Sequence, residues 1–290
     1  MVLGLVAGMF CGCSEKAETV EEEAVVEEEV DTFTGNKVAV EQEVNEVDPA
    51  EAIIADKLSR IMIPRLDFED RTVEEALDYI RLRIVELDQT ESEPARKGVS
   101  MVIRRPKGES DTKKIDENGQ DLLGDDLGSK RISELRVRNV SVAAALRYIC
   151  LMTDIRCEVD ECLTFSPRDP NAAWNDFGSV IEEKGDTSAV SGKLNQIFLP
   201  RVDFEGTSLM EAMDYLRLRS AELHIAEIDP KLKGINFVVY VPEGMEMPRI
   251  DELRMRDASF EVALKEICAK TGMRYELDPY SVILVPKDLK

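Results

Sequence analysis

The sequence predicts an α+β fold in which one module of about a hundred residues occurs twice. Three observations predict it: an internal repeat, strand and helix patterns that alternate within each copy, and turn signals typical of antiparallel hairpins. At the usual domain size, a chain of 290 residues holds about two domains. Because 43% of the residues are hydrophobic, both copies can build a core.

The internal repeat is visible in two aligned blocks. Residues 57–99 match residues 193–235 without a gap, and Ile132–Arg138 matches Ile250–Arg256. About half of the aligned positions are identical, which is far more than chance gives within one chain. The offset falls from 136 to 118 between the blocks, so the first copy carries an insertion, within residues 107–130. Its Gly, Asp, Lys and Ser content predicts a surface loop.

Each copy predicts the order β-α-β-β-α-β-β, with helices packed on small sheets. Residues 59–68 read as a first strand, and Thr72 with Glu75 forms a capping box at the start of a helix. Ser208 and Glu211 repeat this box in the second copy. Apolar residues at helical spacing follow both boxes, then β-branched strands, a second helix and a closing hairpin.

The composition divides the chain into five predicted segments. They are a signal peptide (residues 1–13), an acidic disordered tether (14–51), a first module (52–168), a linker (169–192) and a second module (193–290). In the linker, Trp174 either docks on a module and fixes the angle between the modules or stays exposed.

Negative charge dominates the chain and is densest in the predicted tether. The formal net charge is −22, and only Lys16 and Lys37 oppose the many carboxylates of residues 14–51. Like charges at this density keep a chain extended. A field of this sign repels phosphate backbones and anionic lipid headgroups, so nucleic acid is excluded as the expected partner.

The first thirteen residues resemble the signal peptide of a bacterial lipoprotein. Val2–Phe10 has the length of an apolar h-region, although no positively charged n-region precedes it. Gly12-Cys13-Ser14 is similar to a lipobox, and that resemblance implies cleavage before Cys13 and acylation of this residue, which would anchor the chain to a membrane. Ser14 then favours the outer membrane. The alternative is an ordinary apolar terminus with two incidental cysteines.

Candidate chemistry is sparse, and no catalytic residue, metal site or cofactor is predicted. His224 is the only histidine, which excludes most histidine-based catalytic and metal sites. Asp67 and Asp203 each have a neighbouring arginine, so local ion pairs are favoured over acid–base catalysis. The first helix of each copy carries two arginines, Arg81 and Arg83 in the first copy and Arg217 and Arg219 in the second. These arginines either form ion pairs within their helix or form a face that binds an acidic partner.

The cysteines of the modules predict core thiols and one candidate disulfide. Cys150 and Cys268 lie on the apolar side of the second helix in each copy. Cys157 and Cys162 flank a predicted hairpin turn and stand where the second copy has Tyr275 and Tyr280. They either form a cross-strand disulfide or remain separate thiols.

The second half of each module resembles a known family. Leu135–Ser141, Ala145–Cys150 and Thr153–Val159, with their counterparts from Leu253 onward, look like the STN or secretin N0 domain found at the N-terminus of secretins and TonB-dependent receptors. The resemblance covers about two thirds of the chain and consists mostly of apolar spacing. It implies a periplasmic, non-enzymatic domain that binds other envelope proteins through strand edges or a helix face.

The expected function is therefore protein–protein docking by a lipid-anchored protein of the cell envelope, in a secretion, pilus or similar assembly. The alternative is a signalling module that contacts a transmembrane regulator or receptor. No nucleophile, base and orienting residue occur together in the sequence, so an enzyme is not expected.

Overall fold

The computed structural model describes residues 49–93, 96–104, 127–159, 162–169, 171–178, 181 and 185–289. The chain divides into two units, Met1–Asn45 and Glu46–Lys290, and every described residue belongs to the second. The predicted signal peptide with Cys13, nearly all of the predicted tether and most of the predicted insertion lie outside the described residues.

The N-terminal half of the described structure, residues 49–181, contains three α-helices and five strands. In chain order they are α1 (Pro49–Arg60), β1 (Met62–Thr72), α2 (Val73–Leu87), β2 (Met101–Ile103), β3 (Arg131–Ser141), α3 (Val142–Thr153), β4 (Ile155–Val159) and β5 (Leu163–Pro167).

The C-terminal half, residues 185–289, follows the same order of elements. They are α4 (Ser188–Gln196), β6 (Phe198–Ser208), α5 (Leu209–Leu223), β7 (Asn236–Val239), β8 (Arg249–Ser259), α6 (Phe260–Thr271), β9 (Met273–Leu277) and β10 (Ser281–Pro286). The predicted α+β class with small sheets is confirmed.

Each half contains two small sheets. A long antiparallel ribbon is formed by β1 with β3 and by β6 with β8. A three-stranded mixed sheet has the order β2-β5-β4 in one half and β7-β10-β9 in the other. The two ribbons have the same register, so Arg65 opposes Arg138 just as Arg201 opposes Arg256.

The predicted capping boxes begin α2 and α5. The Thr72 hydroxyl accepts a hydrogen bond from the Glu75 N–H at 3.2 Å, and the Glu75 carboxylate accepts one from the Thr72 N–H at 3.0 Å. Ser208 and Glu211 form the same pair of bonds. Because two otherwise unpaired N–H groups are satisfied, the strand-to-helix turn is fixed in both halves.

Two helices were not predicted from the sequence. Residues 49–51 were assigned to the tether and residues 59–60 to the first strand, but residues 49–60 form α1, and the strand starts at Met62. Similarly, α4 begins inside the predicted linker. Each helix buries a leucine in the core of its own half, Leu58 in α1 and Leu194 in α4. Such short helices have weak periodicity, so their packing and not their local pattern determines them.

The residues predicted as a linker are part of the N-terminal core. Trp174, Phe177 and Ile181 are buried with the side chains of the N-terminal half. The Cys157 N–H donates to the Phe177 carbonyl at 2.9 Å, so this segment covers the free edge of β4. Trp174 is therefore docked, and the Arg274 guanidinium lies 5.7 Å from its ring.

Candidate functional site

The two halves meet along helix α3, which is buried on almost every side. Its sequence is apolar at nearly every position, and a helix that is apolar all round belongs in an interior. The β7-β10-β9 sheet supplies the other side of the junction. Phe237, Val239, Val282 and Leu284 enter the C-terminal core, whereas Val238, Tyr240, Ile283 and Val285 join the N-terminal core. A sheet buried on both faces explains the continuous apolar run of β10.

A buried polar network ties α3 to the turn between β9 and β10. Arg147 forms an ion pair with Asp278, and both side chains are more than 90% buried. The Tyr148 hydroxyl donates to Asp278 at 2.6 Å and accepts from the Ser281 hydroxyl at 2.9 Å. Burial and the neighbouring Asp278 carboxylate hold the pKa of Tyr148 well above its ordinary value, so its hydroxyl remains a donor.

The edge of the junction is closed by one asparagine. The Asn236 side chain accepts from the Arg138 N–H at 2.9 Å and donates to the Arg138 carbonyl at 2.9 Å. It also donates to the Tyr280 carbonyl at 2.8 Å. The Asn236 amide thus takes the place of a strand partner and brings β3 beside the edge of the β7-β10-β9 sheet.

The predicted partner-binding arginines are all paired within the chain. Arg81 pairs with Asp78, Arg83 with Glu86 at 2.6 Å, and Arg219 with Glu222 at 2.5 Å.

Arg217 differs from the other three because it contacts the opposite half. It pairs with Asp214 on its own helix, and its Nη1 atom also lies 3.6 Å from Oε1 of Glu134 on β3. From the same ribbon, Nη1 of Arg136 lies 3.5 Å from Oδ2 of Asp214. Desolvation, together with the negative charge of Asp214, raises the pKa of Glu134. The helix face that the sequence assigns to an external partner is therefore occupied, in α5, by the ribbon of the N-terminal half.

Two adjoining grooves beside Asn236 form a surface that we call the basic seam. Their volumes are about 380 Å³ and 200 Å³, and both are bordered by Arg138, Lys233 and Asn236. Only two carboxylates, Asp67 and Asp214, line them. The lining contains seven cationic side chains: Arg65, Arg136, Arg138, Lys193, Arg217, Lys231 and Lys233. In a chain with a net charge of −22, this surface has the opposite sign.

Four of the seam cations have no carboxylate within 4 Å among the described residues: Arg138, Lys193, Lys231 and Lys233. Lys193 shows how this arises. In the N-terminal half its counterpart, Lys57, lies 3.5 Å from the buried carboxylate of Asp88. In the C-terminal half His224 stands at the position of Asp88, so Lys193 donates only to the carbonyls of Leu232 and Gly234. Burial lowers the pKa of Lys193.

His224 is the C-cap of α5. Its Nδ1 atom is buried and has no hydrogen-bond partner among the described residues. Burial and the positive charges of Lys193 and Lys233 lower its pKa, so the ring is neutral at pH 7. The lowered pKa of His224 therefore reflects the positive charges of the seam as well as burial.

Apolar side chains border the seam. The loop that joins α5 to β7 carries Ile225 and Ile228, which are 82% and 89% exposed, and also Leu232. Leu218, from α5, lines the larger groove and is exposed. The corresponding loop of the N-terminal half has Gln89, Ser92 and Arg96 at the loop positions. Apolar side chains at such exposure mark a binding surface more often than chance placement does.

The cysteines of the described residues are free thiols. Cys150 and Cys268 are buried, as expected for core thiols. Cys157 opposes Phe165, as Tyr275 opposes Leu284, and Cys162 lies in the turn before β5 and not opposite Cys157. That turn is one residue shorter than the turn between β9 and β10. The ungapped comparison with Tyr275 and Tyr280 therefore misaligned Cys162, and the cross-strand pairing assumed for the disulfide is not the pairing formed.

Asp67 and Asp203 occupy equivalent places in the middle of the ribbons, opposite Arg136 and Arg254, and not at strand ends. The Arg65 guanidinium donates to Asp67 at 2.6 Å, and Arg201 donates to Asp203 at 2.5 Å. These bonds lower the pKa of both carboxyls, which excludes them as bases near neutral pH. Within the described residues, no group of three or more His, Cys, Asp or Glu side chains could hold a metal ion.

Comparison of the chain with protein-family models, with curated proteins and with solved structures gives no match.

Sequence reasoning did not identify the basic seam. Arg138 lies on β3, whereas Lys231 and Lys233 lie on the loop between α5 and β7, and only the fold brings these two elements together. Two signals were present in the sequence: the exchange of Asp88 for His224 between the copies, and the change from a polar loop to the loop with Ile225 and Ile228.

Proposed function

We propose that the chain is a non-enzymatic docking protein and that a protein partner binds at the basic seam. The observation that carries the proposal is the group of cations without carboxylate partners among the described residues, in grooves that the exposed Leu218 and Leu232 also line. Positive charge and apolar side chains on one surface are what a protein partner of opposite charge recognises. The junction holds this surface in one shape, because α3 and the Arg147–Asp278 pair join the halves.

The chemistry of the side chains supports binding over catalysis. Burial raises the pKa of Cys157 to about 12 and that of Cys268 to about 11, so neither thiol is a nucleophile at neutral pH. The Nδ1 atom of His224 has no hydrogen-bond partner among the described residues, so no carboxylate there orients the ring.

The proposal also includes a lipid anchor in the cell envelope, in a secretion, pilus or similar assembly. Its support is the sequence around Cys13, which resembles a lipobox, and the resemblance of the modules to the STN domain. Within the described residues, no helix has both the length and the apolarity needed to cross a bilayer.

Cross-linking followed by mass spectrometry tests the docking function with two matched variants of the full chain. The seam variant is Arg138→Gln/Lys231→Gln/Lys233→Gln. The control variant removes the same charge elsewhere, Lys97→Gln/Arg256→Gln/Lys270→Gln, where Lys97 and Arg256 are the repeat counterparts of Lys233 and Arg138. We expect a partner that the wild type and the control variant capture and the seam variant loses. If no form captures a partner specifically, the docking function is wrong.

A further inference from the structure

We infer that the basic seam binds an extended acidic segment of a partner protein, one in which carboxylates alternate with apolar side chains. The inference rests on the proposed docking function and names the chemistry that the seam recognises.

The form of the seam favours a segment of chain over a small anion. Its two grooves adjoin along Arg138, Lys233 and Asn236, so the cations are spread along a path and not gathered at one point. A single phosphate or carboxylate could contact two or three of them and would leave the others without a counter-ion. An extended peptide with several carboxylates can contact cations in both grooves.

The charge of the whole protein selects against polyanions that lack apolar groups. At physiological ionic strength the Debye length is about 8 Å, so charges distant from the seam are largely screened while contacts inside it are not. A nucleic acid presents phosphates over a much larger surface and meets the remaining negative charge of the chain. A short peptide fits within the seam and avoids that repulsion.

The apolar border explains why the segment should carry apolar residues. Leu218 lies in the larger groove, and Leu232 lies in the smaller one. Ile225 and Ile228 stand on the same loop as Leu232 and are almost fully exposed. Burying these side chains under an apolar residue of the partner adds affinity that charge alone does not supply.

One difference between the halves supports a site built for an anion. The N-terminal half neutralises Lys57 with Asp88, whereas the C-terminal half leaves Lys193 without a carboxylate partner among the described residues. A carboxylate of the bound segment would supply the missing counter-charge.

The test is fluorescence anisotropy with a short labelled peptide in which glutamates alternate with leucines and serines, titrated with the full chain. One comparison peptide has glutamine for every glutamate, and another has serine for every leucine. We expect saturable binding that weakens about tenfold in the seam variant and at high salt, and that the control variant retains. The glutamine peptide should not bind, and the serine peptide should bind more weakly.

His224 gives an independent readout, because it is the only histidine and its charged neighbours are Lys193, Lys233 and Glu227. Proton NMR of its ring should show the pKa rising by about half a pH unit when the peptide saturates the seam.

The inference is overturned if the seam variant binds the peptide as well as the wild type does, if the glutamine peptide binds equally, or if the His224 pKa stays constant at saturation. It is also overturned if inorganic phosphate alone raises this pKa while the peptide does not bind. A partner captured equally by the wild type and the seam variant would retain the docking function and reject this site.

Discussion

Replacing Asp278 by alanine tests whether the polar network of the junction holds the halves together. Asp278 accepts hydrogen bonds from Arg147 and Tyr148 of the other half and from the Tyr280 N–H at 3.0 Å. After the substitution, the hydrogen-bond acceptor that remains for the buried Arg147 guanidinium among the described residues is the Ile181 carbonyl at 3.3 Å. Within that part of the chain, the charge is then left without a counter-ion.

Removing one member of a buried ion pair costs about 3–5 kcal/mol, since the remaining charge is neither hydrated nor paired. The Tyr148 hydroxyl keeps its Ser281 partner, so its contribution to the loss is small. We therefore expect Asp278→Ala to lower the free energy of unfolding by about 3–5 kcal/mol, a large share of the 5–15 kcal/mol typical of a folded domain.

Equilibrium urea denaturation of the full chain measures this difference. Glu222→Ala is the control, because it removes the partner of Arg219 at an exposed site, where the loss should stay within about 0.5 kcal/mol. The double variant Arg147→Met/Asp278→Leu should recover most of the stability, since it leaves no unpaired charge. A loss below about 1 kcal/mol for Asp278→Ala would show that water reaches Arg147 and that the network does not hold the junction.

Three further predictions concern pH, helix caps and thiols. Burial and the nearby Asp154 raise the pKa of Tyr240 to about 12 in the folded chain, so its contribution to stability is complete below pH 10 and is lost as the pH rises through about 12. Urea midpoints between pH 9 and 12 should fall less steeply for Tyr240→Phe than for the wild type, and equal slopes would contradict the burial of this phenol. Thr72→Ala and Ser208→Ala should each lower the free energy of unfolding by about 1 kcal/mol in the same assay, whereas a loss at only one of them would show that the boxes are not equivalent. A thiol reagent followed by peptide mass mapping of the native chain should label Cys162 and leave Cys150, Cys157 and Cys268 unmodified; labelling of Cys162 only after reduction would show a disulfide instead.

Local patterns in the sequence predicted most of the elements, because their signals are short-range. Thr72 with Glu75 and Ser208 with Glu211 begin helices through contacts three residues apart, and apolar stripes follow them. The short helices α1 and α4 were missed, since each is fixed by one or two buried side chains, Leu58 in α1 and Val190 with Leu194 in α4, whose partners are distant in sequence. The hairpin register at Cys162 was also missed, since a difference of one residue in a turn leaves no clear mark on the sequence.

The site was less predictable than the fold. The arginine face of α2 and α5 was identified from helical spacing, but the sequence could not show that Arg217 would meet Glu134 from the other half. Arg138 comes from a ribbon and Lys233 from a loop, so their proximity depends on how the halves pack. The exchange of Asp88 for His224 and the apolar loop with Ile225 and Ile228 were the traces of the seam in the sequence.

The junction is heterologous, because α3 of one half packs on the β7-β10-β9 sheet of the other. A heterologous contact joins two different surfaces, so each unit could bind a further unit. Equivalent surfaces on free units would extend the array into a ring or a filament. At the places where α3 carries Ala143, Arg147 and Tyr148, α6 carries Glu261, Lys265 and Glu266. Burying these charges against another sheet would be unfavourable, so α6 terminates the array after two halves. Apolar substitutions at Lys265 and Glu266 would therefore remove the charge that opposes such an extension.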